Sequence, residues 1–394
     1  MNRPSRPPTC QLCRKSGHNA SQCYHLASYA ATAPSEEHLA QAFHAQCQLD
    51  PNVPDWTSDT GASSHMLPSN STLPNATPTQ GNQPSTITSF VSCLNKEFAI
   101  KDLRKLNYFL GLEVTYTPHG LFLNQSKYTI DILNRAKMLD AKPAQTPLST
   151  NANFVSAGDP FPDATHYRSI VGALQYLMIM RPNISYAVNQ VSQFLHALTV
   201  AHFQEVKRIL RYLKGTIAFG LHYRRPTHTT LIGYSDADWA RCLETRHSTY
   251  GYSMFLGGNL ISWSAKKQPT VARSSCESEY RAMANTTAEI VWITHLLQEL
   301  HALPQERQTI LCDNQSAHFL TQNPVSHKRA KHIDLDYHFL RELVAAGKLI
   351  TKFVPTKLQV ADIFTKSLPS SQFCASRDML CIGPPPFSLP GDVR

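Results

Sequence analysis

The sequence predicts a mixed α/β fold: a five-stranded sheet with flanking helices, preceded by a helical segment and a largely disordered N-terminal region. Three observations carry this expectation. From about Leu231 the runs LIGYSDADW, STYGYSMFLG and NLISWSA follow one another as strand-like segments. A long helical run from Ser274 to about Leu300 then gives way to alternating strand and helix, the order of a mixed sheet. Residues 1 to 90, by contrast, hold ten of the 26 prolines and few periodic apolar stretches.

Along the chain, Ser69 to Ser89 reads as a polar, Pro-punctuated linker with little to bury. Residues 90 to 150 read as short helix, strand, tight turn, strand and helix. In YFLGLEVTYTPHGLFLNQ, Pro118-His119-Gly120 separates two alternating apolar runs, a hairpin signal. Residues 166 to 215 are helical, with Ile170, Ala173, Leu174 and Leu177, then Ala187, Val188 and Val191, then Val206, Ile209, Leu210 and Leu213 at helical spacing. Arg181-Pro182-Asn183 breaks the first of these helices from the second. Beyond the long helix, QTILCDN is a fourth strand, Gln315 to Thr321 a short helix, and about Ile333 to Ala346 another. KLITKFV is the fifth strand, VADIFTKSL a closing helix, and the tail IGPPPFSLPGDVR is expected to be loose.

With 394 residues there is room for two or three domains of about 100–200 residues each. A net charge of +9 favours polyanionic partners. The longest apolar run, Val171 to Met180, is broken by Gln175 and is far too short for a bilayer. The start, MNRPSRPPTC, has no apolar core of a secretory signal. A protein with no membrane contact, not secreted, and resident in the cytoplasm and/or nucleus is therefore expected. There the ten cysteines read as metal ligands where clustered and as buried thiols where scattered. Nothing in the sequence signals an oligomeric state.

Cys10, Cys13, His18 and Cys23 fall at C-x2-C-x4-H-x4-C. Three thiolates and one imidazole at this short spacing can wrap one tetrahedral Zn2+, and Gly17 can take the turn beneath it. Arg14 and Lys15 add positive charge beside it. The segment resembles the zinc knuckle of retroviral and retrotransposon Gag proteins, which clamps single-stranded RNA or DNA; it is too small to fold without its ion. Further on, Asp59-Thr60-Gly61-Ala62 in WTSDTGASSHM resembles the protease start of copia-type retrotransposons, where such a turn presents one carboxylate per subunit of a dimer. The linker arrives before a barrel could form, so Asp59 is expected to be a remnant without peptidase activity.

FVSCLNKEFAIKDLRKLNYFLGLEV resembles the last part of a copia-type reverse transcriptase, with Arg104 where the family usually has Gly. YRSIVGALQYLMIMRPNISYAVNQVSQFLHALTVAHFQEVKRILRYLKGT resembles its helical connection to the next domain. The family's Y-V-D-D turn, which holds the polymerase metals, is absent from the sequence, and no integrase is visible. Neither polymerisation nor strand transfer is expected.

Four acids fall at the ends of expected elements: Asp236 in GYSDADW, Glu279 in SSCESEYRAMA, Asp313 in LCDNQSA and Asp362 in QVADIFTK. Converging over one sheet, they would repel one another unless they held hard cations, two Mg2+ or Mn2+ about 3.5–4 Å apart. Among neighbouring acids, Ser274 and Glu277 form an S-x-x-E capping box, and Glu277 faces Arg281 at i+4 as a solvent-side pair. Glu279 borders the stripe Tyr280, Met283, Ala284 and Thr287 and is expected to point at the sheet. Asp236 and Asp238 share a strand face, so the pattern alone allows either as ligand. The arrangement resembles ribonuclease H of the copia type over about Leu231 to Leu368. The resemblance favours Asp236 and implies cleavage of RNA in an RNA–DNA hybrid. A His that some retroviral relatives carry before the last Asp is absent from TKFVPTKLQVAD.

His327, Lys328, Arg329, Lys331 and His332 precede an amphipathic helix. They read equally as phosphate contacts to a hybrid or as a solvated basic face. Trp239, Trp263 and Trp292 read as packing residues. The expected organisation is a zinc knuckle (1–30), a disordered linker with protease remnant (31–89) and a reverse-transcriptase end-piece (90–165). A helical connection (166–228), an RNase H-like domain (229–370) and a disordered tail (371–394) complete it. The alternative is a catalytically inactive relic that still binds nucleic acid and zinc.

Overall fold

The computed structural model describes residues 88, 89, 92, 105–109, 111–150, 152, 154–322 and 334–386. The first strands are β1 (Tyr108–Phe109), β2 (Leu112–Thr117) and β3 (Gly120–Asn124). The expected hairpin forms around Pro118 and His119, with Thr117 opposite Gly120. Four helices come next: α1 (Ser126–Arg135), α2 (Ala164–Leu177), α3 (Ser185–Ser192) and α4 (Val200–Lys214). Helices α2 and α4 begin at side-chain caps, Asp163 accepting from the His166 amide and Thr199 from that of His202. At the break between α2 and α3, Arg181 is wholly buried. Its guanidinium donates to the carbonyl and hydroxyl of Thr216, each at 2.8 Å, latching this corner to the end of α4.

A strand absent from the expected pattern, β4 (Gly220–Arg224), pairs antiparallel with β3. The second sheet is built from β5 (Leu231–Asp238), β6 (Thr249–Leu256) and β7 (Asn259–Lys267). Helix α5 (Ser275–Glu299), β8 (Gln308–Cys312), α6 (Gln315–Gln322), α7 (Asp334–Ala345) and β9 (Leu349–Phe353) succeed them. The strand order is β7-β6-β5-β8-β9, with β5, β6 and β7 antiparallel and β5, β8 and β9 parallel. This is the mixed five-stranded, RNase H-like sheet that the sequence predicts.

The chain's end departs from expectation. VADIFTKSL is not an α-helix; Val360–Phe364 is a 3-10 turn, with Pro355 and Pro369 close on either side. The expected disordered tail instead forms α8 (Ser370–Met379) and β10 (Ile382–Gly383), which pairs with β4 and completes the first sheet as β1-β2-β3-β4-β10. Phe373, Leu380 and Ile382 are buried there, and that apolar burial holds the segment down.

One face of the second sheet packs on α5 through Leu231, Met254, Met283, Ile290 and Ile310. Its other face, through Phe255 and Leu260, joins Phe364 of the closing turn in a core with Ile170, Leu174, Val188 and Leu210 of the preceding helices. Each such buried side chain stabilises by about 1.5–3 kcal/mol relative to exposure. Trp263 packs against this second core, but Trp239 and Trp292 are 47% and 59% exposed, contrary to expectation. Trp239 follows a strand end, its indole N–H donating to the Ala272 carbonyl at 2.9 Å; Trp292 lies on the solvent side of α5. Among the described residues, no helix is long and apolar enough to cross a membrane.

Candidate metal centre

Strands β5 and β8 run parallel in a register that pairs Tyr234 with Leu311. Two residues further along both chains stand Asp236 and Asp313, so the register itself brings these carboxylates to one end of the sheet. Opposite Asp236 on β6 is Gly251. A Cβ there would lie 2.4 Å from Cβ of Phe364, so only glycine lets the Val360–Phe364 turn rest on the strands. Gln359 pins the turn, donating to the Ser235 carbonyl at 2.9 Å, and Asp362 is thereby set beside Asp236. From the other side, α5 begins at Ser274, whose hydroxyl accepts from the Glu277 amide, and its second turn carries Glu279 to the same place.

The ligand atoms of Asp236, Asp313 and Asp362 lie within 4.8 Å of one another, and so do those of Glu279, Cys312 and Asp313. The two groups share Asp313. Asp236, Glu279 and Asp362 are all nearly buried. Asp238 is outside both groups, with Nε of Arg241 3.8 Å from it. Glu277 is also apart: its carboxylate takes the Arg273 amide and pairs with Arg281 at 2.8 Å. That pair is buried rather than solvent-facing, because the residues before α5 fold over it.

Burial raises the pKa of Asp236, against the opposing pull of Lys366 and a hydroxyl bond from Thr365. Burial and the charges of Asp236 and Asp313 push Glu279 well above the carboxylate range. Burial, with Asp236 close by, takes Asp362 to about 7. Such a set resists full ionisation unless a cation joins it. Burial also drives the Cys312 thiol well above its ordinary range, so the donors that present charge are hard carboxylate oxygens, which fit Mg2+ or Mn2+.

Sequence comparison relates the chain to known proteins. Over 294 residues, 74% of this chain, it is 46% identical to the retrovirus-related Pol polyprotein from transposon RE2 of Arabidopsis thaliana, of which it covers 20%. It is 50% identical over 212 residues to an uncharacterized mitochondrial protein of the same plant and covers 88% of that protein. The chain belongs to the retrovirus-related Pol polyproteins of copia-type transposons. It spans about a fifth of the length of the Pol polyproteins it matches. No protein-family model matches it. Among solved structures, the N-terminal RNase H domain of a Mycobacterium tuberculosis protein aligns with 38% of this chain and 97% of its own, at 13% identity and a TM-score of 0.27.

Within this Pol-derived chain, the four acids picked from the sequence are brought together in the RNase H-like domain. The zinc box Cys10, Cys13, His18 and Cys23, the basic Arg14 and Lys15, the Asp59 turn, and Lys328, Arg329, Lys331 and His332 lie outside the described residues. The pattern of acids alone missed three contributors. Lys366 is ion-paired with Asp362 at 2.9 Å and with Asp236 at 3.6 Å. Thr365 donates to Asp236, and Gly251 makes the close approach possible. The i,i+4 spacing of Asp362 and Lys366 in ADIFTK was a legible signal for the first of these.

Proposed function

We propose that the RNase H-like domain cleaves the RNA strand of RNA–DNA hybrids in a reaction that depends on two divalent cations. The observation that carries this reading is the pair of ligand groups sharing Asp313 at the carboxyl ends of two parallel strands. Asp236, Asp313 and Asp362 would hold one ion, and Glu279 with Asp313 the other. When bound, Mg2+ or Mn2+ supplies the positive charge that activates a water and stabilises the departing 3′ oxygen, giving 3′-hydroxyl and 5′-phosphate ends. The chain's part is to fix the carboxylates before substrate arrives: Gln359 and Gly251 set Asp362, the strand register sets Asp236 against Asp313, and α5 sets Glu279.

The hybrid would be told from duplex DNA by its 2′-hydroxyls and groove shape. Lys328, Arg329, Lys331 and His332 would contact its phosphates. Zn2+ held by Cys10, Cys13, His18 and Cys23, with Arg14 and Lys15 beside it, would add single-stranded RNA or DNA binding. Polymerase, integrase and peptidase activities are not part of this proposal.

The test is cleavage of an end-labelled hybrid with Mg2+ by the full chain and by Asp313→Asn. The wild type is expected to cut, and the variant to cut at least about a hundredfold more slowly. Equal, negligible cutting by both would leave the inactive, nucleic-acid-binding relic in its place.

A further inference from the structure

The carboxylate cluster contains its own cation. Lys366 reaches in from the turn that carries Asp362, placing Nζ 2.9 Å from Oδ1 of Asp362 and 3.6 Å from Oδ2 of Asp236. The placement is built by the backbone: the Lys366 amide donates to the Asp362 carbonyl at 3.1 Å, closing one turn, and the intervening Thr365 hydroxyl is bonded to Asp236. The two carboxylates are almost fully buried, whereas the Lys366 side chain is 30% exposed. Its flexible stem therefore has a route to water that the acids lack.

A divalent ion bound by Asp236 and Asp362 needs the oxygen lone pairs that the ammonium faces. Both cannot be satisfied at full strength in one small, buried space, where like charges repel strongly. Resting on the reading that these carboxylates hold divalent cations, we propose that Lys366 is a resident counter-ion which the metal must displace. It keeps the metal-free cluster folded and sets a threshold on metal affinity. Without it, four acids would face one another with hydroxyl and amide donors but no positive charge between them. With it, the chain holds the ligands in place, and the metal binds only by moving the lysine outward.

The test is Mn2+ binding to the full chain by calorimetry, with metal-free melting measured alongside, for wild type, Lys366→Met, Lys366→Gln and Lys366→Arg. The two neutral variants are expected to bind Mn2+ about tenfold tighter, to melt lower without metal, and to gain more than wild type when Mn2+ is added. The arginine variant keeps the charge and is expected to bind no tighter than wild type. Should a neutral variant be unfolded in chelator, recovery of its fold on adding Mn2+ supports the proposal, and failure to recover opposes it. Neutral variants that bind Mn2+ with wild-type or weaker affinity overturn the counter-ion role. If the wild type binds Mn2+, Asp313→Asn loses it and Lys366→Met matches wild type, only this inference falls. If the wild type binds none, the metal centre falls with it.

Discussion

The two sheets have five strands each and opposite consequences. The first, β1-β2-β3-β4-β10, is antiparallel throughout, so neighbouring strands finish at opposite ends and their terminal side chains scatter. Its outer part leaves Tyr108, Phe109 and Tyr116 roughly half exposed. In the second, β5 and β8 run side by side in the same direction, in a register that sets Asp236 of β5 level with Asp313 just past the end of β8. Parallel pairing is what turns acids distant in sequence into one centre, consistent with ligands collecting at the carboxyl ends of parallel strands.

The largest expected effect lies in the charge held by the second sheet. Asp362 titrates near 7, because burial and then Asp236 raise it above its ordinary value. A carboxyl raised in the folded state contributes stability that is complete below its unfolded pKa and is lost as pH rises through the folded one. The metal-free protein should therefore lose on the order of a few kcal/mol between about pH 4 and pH 7, and Mg2+ should reverse the trend above pH 7. Melting curves across that range, with chelator and with Mg2+, check this; a metal-free protein that grows more stable from pH 4 to 7 contradicts it.

A glycine in each sheet separates stability from function. A Cβ at Gly220 would lie 2.2 Å from the Leu123 carbonyl oxygen, and one at Gly251 would lie 2.4 Å from Cβ of Phe364. Either substitution to alanine should cost about 1–3 kcal/mol by overpacking. Only Gly251→Ala should also weaken Mn2+ binding, since only it lifts the Asp362 turn. Chemical denaturation and calorimetry on both variants decide, and equal metal affinity in the two would break the argument.

The legible part of the fold was the part with a clear period. Strands β5 to β7 announced themselves by their runs of strand-forming residues, and α5 by its Ser274 cap. Strand β4 was missed because GLHYR is five residues whose partner, β3, lies about a hundred positions earlier; β10 has two residues and no pattern at all. The acids of the centre could be picked because each sits in a short local motif of the sequence, at or near the end of an expected element. Gly251 could not be picked by that rule, since its effect exists only once the turn lies on the strands; Lys366 was legible only through its i,i+4 spacing from Asp362. Arg181 looked like a plain helix break and proved to be a buried latch, a property set mainly by Thr216, 35 positions away just past α4.

The smallest effect is expected on the exposed aromatic side of the first sheet. Lys127 lies over the Tyr108 ring and Lys105 over that of Tyr116, each ammonium 5.5 Å from the ring centre. Tyr108→Ser and Tyr116→Ser should each change stability by no more than about 0.5 kcal/mol and leave hybrid cleavage as in wild type. A larger loss in denaturant melts would mean that this face is structurally committed in a way its exposure does not indicate.

The central claim is that the parallel strand ends assemble a divalent-cation centre around Asp313. Mn2+ binding followed by electron spin resonance, wild type against Asp313→Asn, tests it most directly, because that residue belongs to both ligand groups. Bound Mn2+ in the wild type, with affinity at least about tenfold weaker in the variant, is the predicted result. Identical Mn2+ binding by the two proteins would contradict the account.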